Sequence, residues 1–536
     1  MVRIPAVAHS LCLLGLSAVV SCTPIQPGHH PHACGDFNSL SLTGAEILSV
    51  DGAELRNYTV PAAVGLGLPT PIYGINVCAV TVSYTHHDTN DTVSVQVWLP
   101  LHNYNGVIVS VGGSAWSTGF GDISLGPVAI DGYVAVSTDA GLDGRYDAPL
   151  WALQPDGSIN EGLLLNFASR SVHDMAVLGK AIATAYYGTA PKFSYWNGCS
   201  TGGRQGMVAA QKFPGDFDGI LAGAPAIYWT EYVIAELWPQ VAMREAGYFA
   251  SPTELAAVTE LAIAACDGLD GVRDGVISEV NRCDFDPTSA VGQVVTAQGE
   301  QITITRNLAN VVRQIWDGPK TASGEPLWAA LNKGAPLNAL GNTIPSDGGQ
   351  VGDPFFVPQT WVRYFLKRDT AYDLANLTSP GLRDLFAESV SKFASIIDSA
   401  DPDLSAFKHA GGKLLAWHGQ SDQLIFPQGS VKYREAVEKR LGGRHAGVDD
   451  FFRLFLAPGV DHCGAGSTVG ASPVDAFAAL RAWVEKGKAP DELAASSAQG
   501  GFTRKLCKWP LVAKYDGHGD PNLAASYRCV RDGCSK

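Results

Sequence analysis

The sequence has no excess of positive charge: 38 Lys and Arg stand against 52 Asp and Glu, a formal net charge of -14. Such a chain is poorly suited to nucleic acid or to an anionic membrane surface. A small neutral or acidic ligand is not excluded, because its site is decided locally. Beyond the N-terminus no apolar run is long enough to cross a bilayer as a helix. There is also no coiled-coil heptad, no internal repeat and no low-complexity tract, which sets aside fibrous, repeat and disordered classes. What is present is an ordinary globular composition, 46% hydrophobic and 9% aromatic, spread over 536 residues. That length exceeds what one hydrophobic core usually supports, so two domains or one large fold with an insertion are expected.

Met1-Val2-Arg3, a mostly apolar run to Val20 and then Ser21-Cys22-Thr23-Pro24 form a signal-peptide pattern over residues 1–22. The mature chain is therefore expected to be secreted, with disulfides allowed. Val19-Val20-Ser21-Cys22 also resembles a lipoprotein cleavage box, in which Cys22 would carry lipid instead. Three glycosylation sequons, at Asn57, Asn90 and Asn376, are no more than chance supplies at this length. Of the eleven cysteines, Cys12 leaves with the signal. Cys266 and Cys283 are close in sequence, as are Cys507 and Cys529, and each pair could close a local loop; sequence alone does not fix connectivity.

From about residue 92, short β-rich runs alternate with helical ones. Strands are predicted at Thr92–Trp98, Gly106–Val111, Tyr133–Thr138, Phe193–Asn197, Gly219–Ala222, Lys413–Trp417 and Phe452–Ala457. Ser171–Tyr187 has helical periodicity, with Val172, Met175, Ala176, Leu178 and Ile182 on one broad face. This alternation predicts a largely parallel sheet covered on both sides, with reactive groups in loops at the carboxyl ends of its strands. The rhythm stops near Pro225 and resumes near Gly411. The intervening stretch holds helices (Ser251–Ala265, Ser379–Ala400), an Asp-rich loop and many large aromatics. The expected organisation is a signal over 1–22, a first α/β part over 23–227, an inserted domain over 228–410 and a second α/β part over 411–536. The tail from Gly500 to Lys536 shows little regular pattern and is expected to be pinned by its cysteines.

Tyr195-Trp196-Asn197-Gly198-Cys199-Ser200-Thr201-Gly202-Gly203 contains Gly-x-Ser-x-Gly between an apolar strand and a plausible helix, Arg204–Lys212. That is the setting of a nucleophile elbow, a turn so sharp that small residues must flank an outward-facing serine. A serine hydroxyl needs a base, and an oriented base needs an acid behind it. In α/β-hydrolases these follow in the order Ser, Asp or Glu, His. Asp422 follows the strand at 413–417, and His462 follows the strand at 452–457. His418 is a rival base but precedes the acid, which suits a supporting role better; His409 and His445 lie in polar contexts. Asp461 is a weaker rival acid, since adjacent side chains diverge. Two backbone N–H groups must hold the oxyanion: Thr201, after the nucleophile, and Gly113, from the Gly112-Gly113-Ser114 turn that follows Val107–Val111. Cys199 precedes the serine and Cys463 follows the histidine, so a Ser200–His462 contact could bring the two sulfurs into bonding range. Cys266-Asp267-Gly268-Leu269-Asp270-Gly271-Val272-Arg273-Asp274-Gly275-Val276 groups three carboxylates at a spacing that suits Ca²⁺ but lacks the EF-hand pattern; a plain Asp-Gly turn is the alternative.

The Cys199-Ser200, Asp422 and His462-Cys463 constellation resembles the tannase and feruloyl esterase family, which also includes mono(2-hydroxyethyl) terephthalate hydrolase. Trp196-Asn197-Gly198-Cys199-Ser200-Thr201-Gly202-Gly203-Arg204 and Pro458-Gly459-Val460-Asp461-His462-Cys463 are similar to family stretches, and the likeness runs from about Cys34 to Cys529. The resemblance implies an α/β-hydrolase fold with a large inserted lid domain and a Cys199–Cys463 disulfide beside the triad. It also implies disulfides Cys34–Cys78, Cys266–Cys283 and Cys507–Cys529, leaving Cys534 unpaired unless it meets a retained Cys22. It implies a structural calcium held by the Asp267, Asp270 and Asp274 side chains and the Val272 and Val276 carbonyls. The expected activity is hydrolysis of phenolic-acid esters through an acyl-enzyme, feruloyl esterase first and tannase second. The expected partner is a small or polysaccharide-linked aromatic ester. A catalytically silent hydrolase-like binding protein and a calcium-dependent carbohydrate-binding module are the rivals from other classes.

Overall fold

The computed structural model describes residues 33–35, 37, 40–142, 146–443 and 447–531. The signal segment, Cys22, His445 and Cys534 lie outside the described residues.

Nine strands form the central sheet: β1 (Ala45–Val60), β2 (Ile72–His86), β3 (Val93–Pro100), β4 (Val107–Val111), β5 (Val134–Thr138), β6 (Phe193–Cys199), β7 (Gly219–Gly223), β8 (Lys413–Gly419) and β9 (Phe452–Ala457). Their order across the sheet is β1-β2-β3-β5-β4-β6-β7-β8-β9. From β5 through β9 every neighbouring pair is parallel, whereas β1, β2 and β3 join antiparallel. The inner strands Val-Ile-Val-Ser-Val, Val-Ala-Val-Ser-Thr and Gly-Ile-Leu-Ala-Gly are buried at every residue, as a parallel sheet covered on both faces requires.

All seven predicted strands are present, each with ends displaced by two residues or fewer. The long pair β1 and β2 was not foreseen. Register shifts between Ile47 and Ser49, and again at Leu55, Tyr58 and Val60, break the alternation that would have revealed a half-exposed edge.

Helix α1 (Ser171–Tyr187) buries the face predicted for it: Val172, Met175, Ala176, Leu178 and Ile182 are each at most 1% exposed. Helix α2 (Thr201–Lys212) leaves the end of β6. Between β7 and β8 the chain adds no strand to the sheet. It builds instead α3 (Trp229–Ala235), α4 (Pro252–Cys266), α5 (Ser379–Ile397), further short helices and two small hairpins. Helix α4 begins on a capping box, with Ser251 and Glu254 satisfying each other's backbone N–H groups. Helix α5 stops at Ile397, short of the predicted Ala400, because Asp398 turns into extended backbone and its carboxylate bonds Thr230 N and Oγ1 at 2.9 and 2.8 Å.

An aromatic cluster joins the inserted segment to the sheet. The Trp116 ring lies 4.9 Å from Trp229, 5.2 Å from Phe365 and 5.4 Å from Phe167. Trp116, Trp229, Trp361 and Phe365 are all buried, and burying each such ring contributes about 3 kcal/mol. These tryptophans form core rather than an exposed binding face. Arg204, fully buried on α2, adds a polar tie. It donates to the Phe167, Ala168 and Ile397 carbonyls at 2.6, 2.9 and 3.3 Å, and its guanidinium lies over the Phe167 ring.

The segment after Gly500 differs from expectation. It forms strands at Thr503–Cys507, Leu511–Tyr515 and Tyr527–Arg531, each too short to show a period in sequence. Helix α6 (Gln428–Arg440) lies against β9.

Candidate active site

The strand β6 runs directly into α2, and Ser200 at the junction has φ 63° and ψ -124°. A non-glycine residue held there is strained, and only over-determined surroundings keep it so. Those surroundings are visible. Ser200 N–H donates to the Gly223 carbonyl at 3.0 Å, its own carbonyl accepts from Arg204 N–H at 2.9 Å, and Trp196 Nε1–H donates to the Gly202 carbonyl at 2.8 Å. The turn is also too tight for side chains: a Cβ on Gly198 would sit 2.6 Å from the Gly202 carbonyl carbon. Ser200 itself is 8% exposed.

The loop after β8 presents Asp422, which is 1% exposed. Its Oδ1 accepts the Leu424 and Ile425 amides at 2.9 and 2.8 Å, which fixes the carboxylate. Its Oδ2 bonds His462 Nδ1 at 2.8 Å and His418 Nε2 at 3.1 Å. His418 Nε2 also faces the Ile425 carbonyl at 3.0 Å, so with two acceptors before it this nitrogen must carry the proton; Nδ1 then accepts from the Ser430 hydroxyl at 2.8 Å. His418 is thus fully engaged as a second donor to Asp422, in keeping with the supporting role read from its position.

Burial acts to raise the Asp422 pKa. The charge of His462 and the hydrogen bonds from both histidines outweigh it and hold the carboxyl well below the usual carboxylate range. Burial likewise acts to lower the His462 pKa, but the Asp422 charge and hydrogen bond prevail and raise it.

His462 sits in the loop after β9. Its N–H donates to Gln423 Oε1 at 3.0 Å, and neighbouring Asp461 accepts the Gly466 and Ser467 amides at 3.2 and 2.6 Å. Asp461 is therefore spent on shaping the loop. Cys199 and Cys463 form a disulfide with Cα atoms 6.0 Å apart across 264 residues of sequence. Neighbours of this bond on one side and the other are Ser200 and His462, so it fastens the histidine loop to the serine turn. Disulfides Cys34–Cys78, Cys266–Cys283 and Cys507–Cys529 are formed as well.

The Gly113 assignment requires correction. Its N–H donates to Gln205 Oε1 at 3.0 Å, while its carbonyl accepts Gly202 N–H at 3.0 Å. Gln205 Nε2 in turn donates to the Thr118 carbonyl at 3.2 Å, so the side chain is held in place. An amide already bonded in this way is not free to receive a developing oxyanion. The glycine turn serves instead to dock against α2. Thr201 follows Ser200 as expected, with Oγ1 donating to the Ala115 carbonyl at 2.6 Å.

In the Asp-rich loop, Asp267 and Asp270 are 8% and 9% exposed. Each carboxylate bonds backbone: Asp267 accepts Asp274 N–H at 3.0 Å, Asp270 accepts Val272 N–H at 2.9 Å and Asp274 accepts Val276 N–H at 3.1 Å. Arg504 pairs with Asp274. Burial first, with repulsion among the carboxylates adding to it, pushes Asp270 and Asp274 up. Among the described residues, no three such groups are gathered closely enough to hold a metal ion as they stand. The donor chemistry nevertheless suits a hard dication, since three carboxylates stand in one short loop, with Arg504 paired to Asp274.

A serine on a strained strand-to-helix turn, an acid and a histidine on the loops after two later parallel strands, and a nine-stranded sheet beneath them define the chain as an α/β-hydrolase of the serine esterase class. Its sequence matches the tannase and feruloyl esterase family over residues 78–530, and the chain belongs to that family of carboxylic ester hydrolases. It is 45% identical to a probable feruloyl esterase of Arthroderma benhamiae, covering 97% of this chain and 98% of that one. A tannase of Aspergillus oryzae is 29% identical over 92% of this chain and 90% of its own. Among solved structures, a tannin acyl hydrolase from Aspergillus niger superposes with a TM-score of 0.83 at 26% identity, covering 92% of each chain. Feruloyl esterase B from Aspergillus oryzae superposes with a TM-score of 0.77 at 26% identity, covering 93% of this chain and 99% of that one.

Proposed function

We propose that this esterase cleaves esters of phenolic acids through an acyl-enzyme on Ser200. The observation that carries the reading is the pair of links on His462: a 2.8 Å bond to an Asp422 that stays ionised, and a neighbouring disulfide to the residue before Ser200. With Nδ1–H committed to Asp422, Nε2 is the nitrogen left to accept the Ser200 proton. Ser200 Oγ attacks the ester carbonyl, and the Thr201 amide holds the oxyanion with a second donor from the 112–118 loop. His462 then passes its proton to the departing alkoxide. Water attacks the acyl-enzyme by the same route in reverse, releasing the acid. His418 is a positioning residue that keeps Asp422 ionised and aligned.

The phenolic acyl group is inferred from relatives named feruloyl esterase and tannase. We place residues 228–410 as the lid domain that selects it. On a purified-protein panel, kcat/KM for methyl ferulate, caffeate or gallate should exceed that for short aliphatic esters such as butyrates. Faster turnover of aliphatic esters than of every phenolic ester would overturn the substrate assignment, and no turnover of any aryl ester would leave a binding protein. Secretion fits the four disulfides, and the three sequon asparagines are exposed.

We also propose one structural Ca²⁺ in the lid loop, held by the carboxylates of Asp267, Asp270 and Asp274 and the carbonyls of Val272 and Val276. When bound, it would supply positive charge to a buried acidic loop and take no part in ester chemistry. A ligand that binds only the folded chain stabilises it by about 2.7 kcal/mol at a hundredfold excess over Kd. Chelation should therefore lower Tm, and calcium should restore it. Elemental analysis finding no metal in enzyme purified without chelator, with a Tm insensitive to calcium, would refute the site.

A further inference from the structure

The loop after β4 lies directly on the first turn of α2. A Cβ on Gly112 would sit 2.4 Å from Gly202 Cα. Gly202 N–H donates to the Gly113 carbonyl at 3.0 Å, and Thr201 Oγ1 donates to the Ala115 carbonyl at 2.6 Å. Ala115 has φ 48°, so a second strained non-glycine residue stands one hydrogen bond away from the turn that strains Ser200.

One side chain holds this loop in shape. Gln205, fully buried on α2, accepts Gly113 N–H on Oε1 at 3.0 Å and donates from Nε2 to the Thr118 carbonyl at 3.2 Å. Four amides lie between those two points. Trp116 N–H donates to the Tyr146 carbonyl at 3.1 Å and Ser117 N–H to the Ser114 carbonyl at 2.9 Å. The N–H groups of Ser114 and Ala115 have no hydrogen-bond partner among the described residues, and both residues are half-buried. Packing alone does not call for an amide at position 205, since leucine has a similar size and no polar group to bury. The amide is repaid only by what it bonds, and both its ends are spent on this one loop.

We propose that Gln205 is a positioning residue for the ester reaction: by clamping Gly113 and Thr118 it holds the Ser114 and Ala115 amides beside Thr201, where the oxyanion collects its donors. The assignment rests on the oxyanion loop in the mechanism above and names the group that shapes it.

Gln205→Leu should lower kcat about a hundredfold, the cost of losing one oxyanion donor, and leave KM within about threefold, because the oxyanion forms only on the way through the transition state. An aryl trifluoromethyl ketone, which takes up Ser200 Oγ and leaves an oxyanion in the same place, should lose affinity by about the same factor. Gln205→Glu separates this role from packing. As the neutral acid it can accept from Gly113 and donate to Thr118, whereas its carboxylate repels the Thr118 carbonyl. Its kcat relative to wild type at the same pH should therefore rise about tenfold between about pH 8 and about pH 5. A folded Gln205→Leu with wild-type kcat, a loss confined to KM, or a fall in kcat with ketone affinity unchanged would each overturn the assignment. Should the leucine variant not fold, a ratio for Gln205→Glu that stays flat with pH overturns it. Every ester forms the oxyanion, so the loss should be equal on methyl ferulate and 4-nitrophenyl acetate. Wild type active on the acetate and silent on the ferulate would overturn the phenolic reading alone, and the acetate would then decide the role of Gln205.

Discussion

Ser200→Ala should lower kcat for methyl ferulate by roughly five to six orders of magnitude while Tm stays close to that of wild type. The residue lost is the one that forms the covalent bond, and neither His462 nor the oxyanion donors can substitute for it. What survives is what binding and the oxyanion hole supply alone, on the order of a thousandfold over water. The fold should tolerate the change because the elbow is held by backbone. Ser200 N–H bonds the Gly223 carbonyl, its carbonyl accepts from Arg204, and no hydrogen bond of the Ser200 side chain contributes to the turn. Alanine in place of serine also relieves none of the strain at φ 63°, so the turn keeps its shape. Near-wild-type turnover in a preparation free of contaminating esterase would remove Ser200 from the mechanism.

Replacing Cys199 and Cys463 together with alanine should lower kcat/KM about a hundredfold, a larger effect than on the fold. Ser200 lies on the β6–α2 turn and His462 on the loop after β9, and β7 and β8 separate those strands in the sheet. The His462 loop has three anchors near the site: the Asp422 bond, the disulfide and the bond from His462 N–H to Gln423. Removing the second lets the imidazole shift relative to the serine, and a displacement of about 1 Å in a reacting pair can cost on the order of a hundredfold. Stability should also drop, since loop-closure arithmetic for a bond spanning 264 residues allows up to about 5 kcal/mol. The sheet pairing of β6 through β9 should keep the chain folded. The double variant separates from a general loss of structure by its circular dichroism, which should match wild type at 25 °C. Free thiols at either cysteine in fully active enzyme would contradict this role.

The parallel half of the sheet was legible because strands buried on both faces are uninterrupted apolar runs, as in Val107–Val111 and Gly219–Gly223. The candidates Ser200, Asp422 and His462 were legible because Gly-x-Ser-x-Gly between a strand and a helix leaves few later strand-end loops to carry an acid and a histidine, and the structure brings Asp422 and His462 to 2.8 Å. Gly113 was misread because whether an amide is free depends on a side chain far along the chain, here Gln205, and no local pattern reports that. The supporting place of His418 was read from chain order, and the structure adds its partners Asp422, Ile425 and Ser430. Bulges concealed β1 and β2.

The central claim is a covalent intermediate on Ser200, and trapping that intermediate tests it most directly. Enzyme mixed with 4-nitrophenyl ferulate, whose leaving group departs so readily that deacylation limits turnover, is quenched in acid during the nitrophenol burst and digested for mass spectrometry. The account predicts a feruloyl group on the peptide that carries Ser200, absent from the Ser200→Ala variant. A feruloyl adduct on any other residue, or a full burst with Ser200 unmodified, would contradict it.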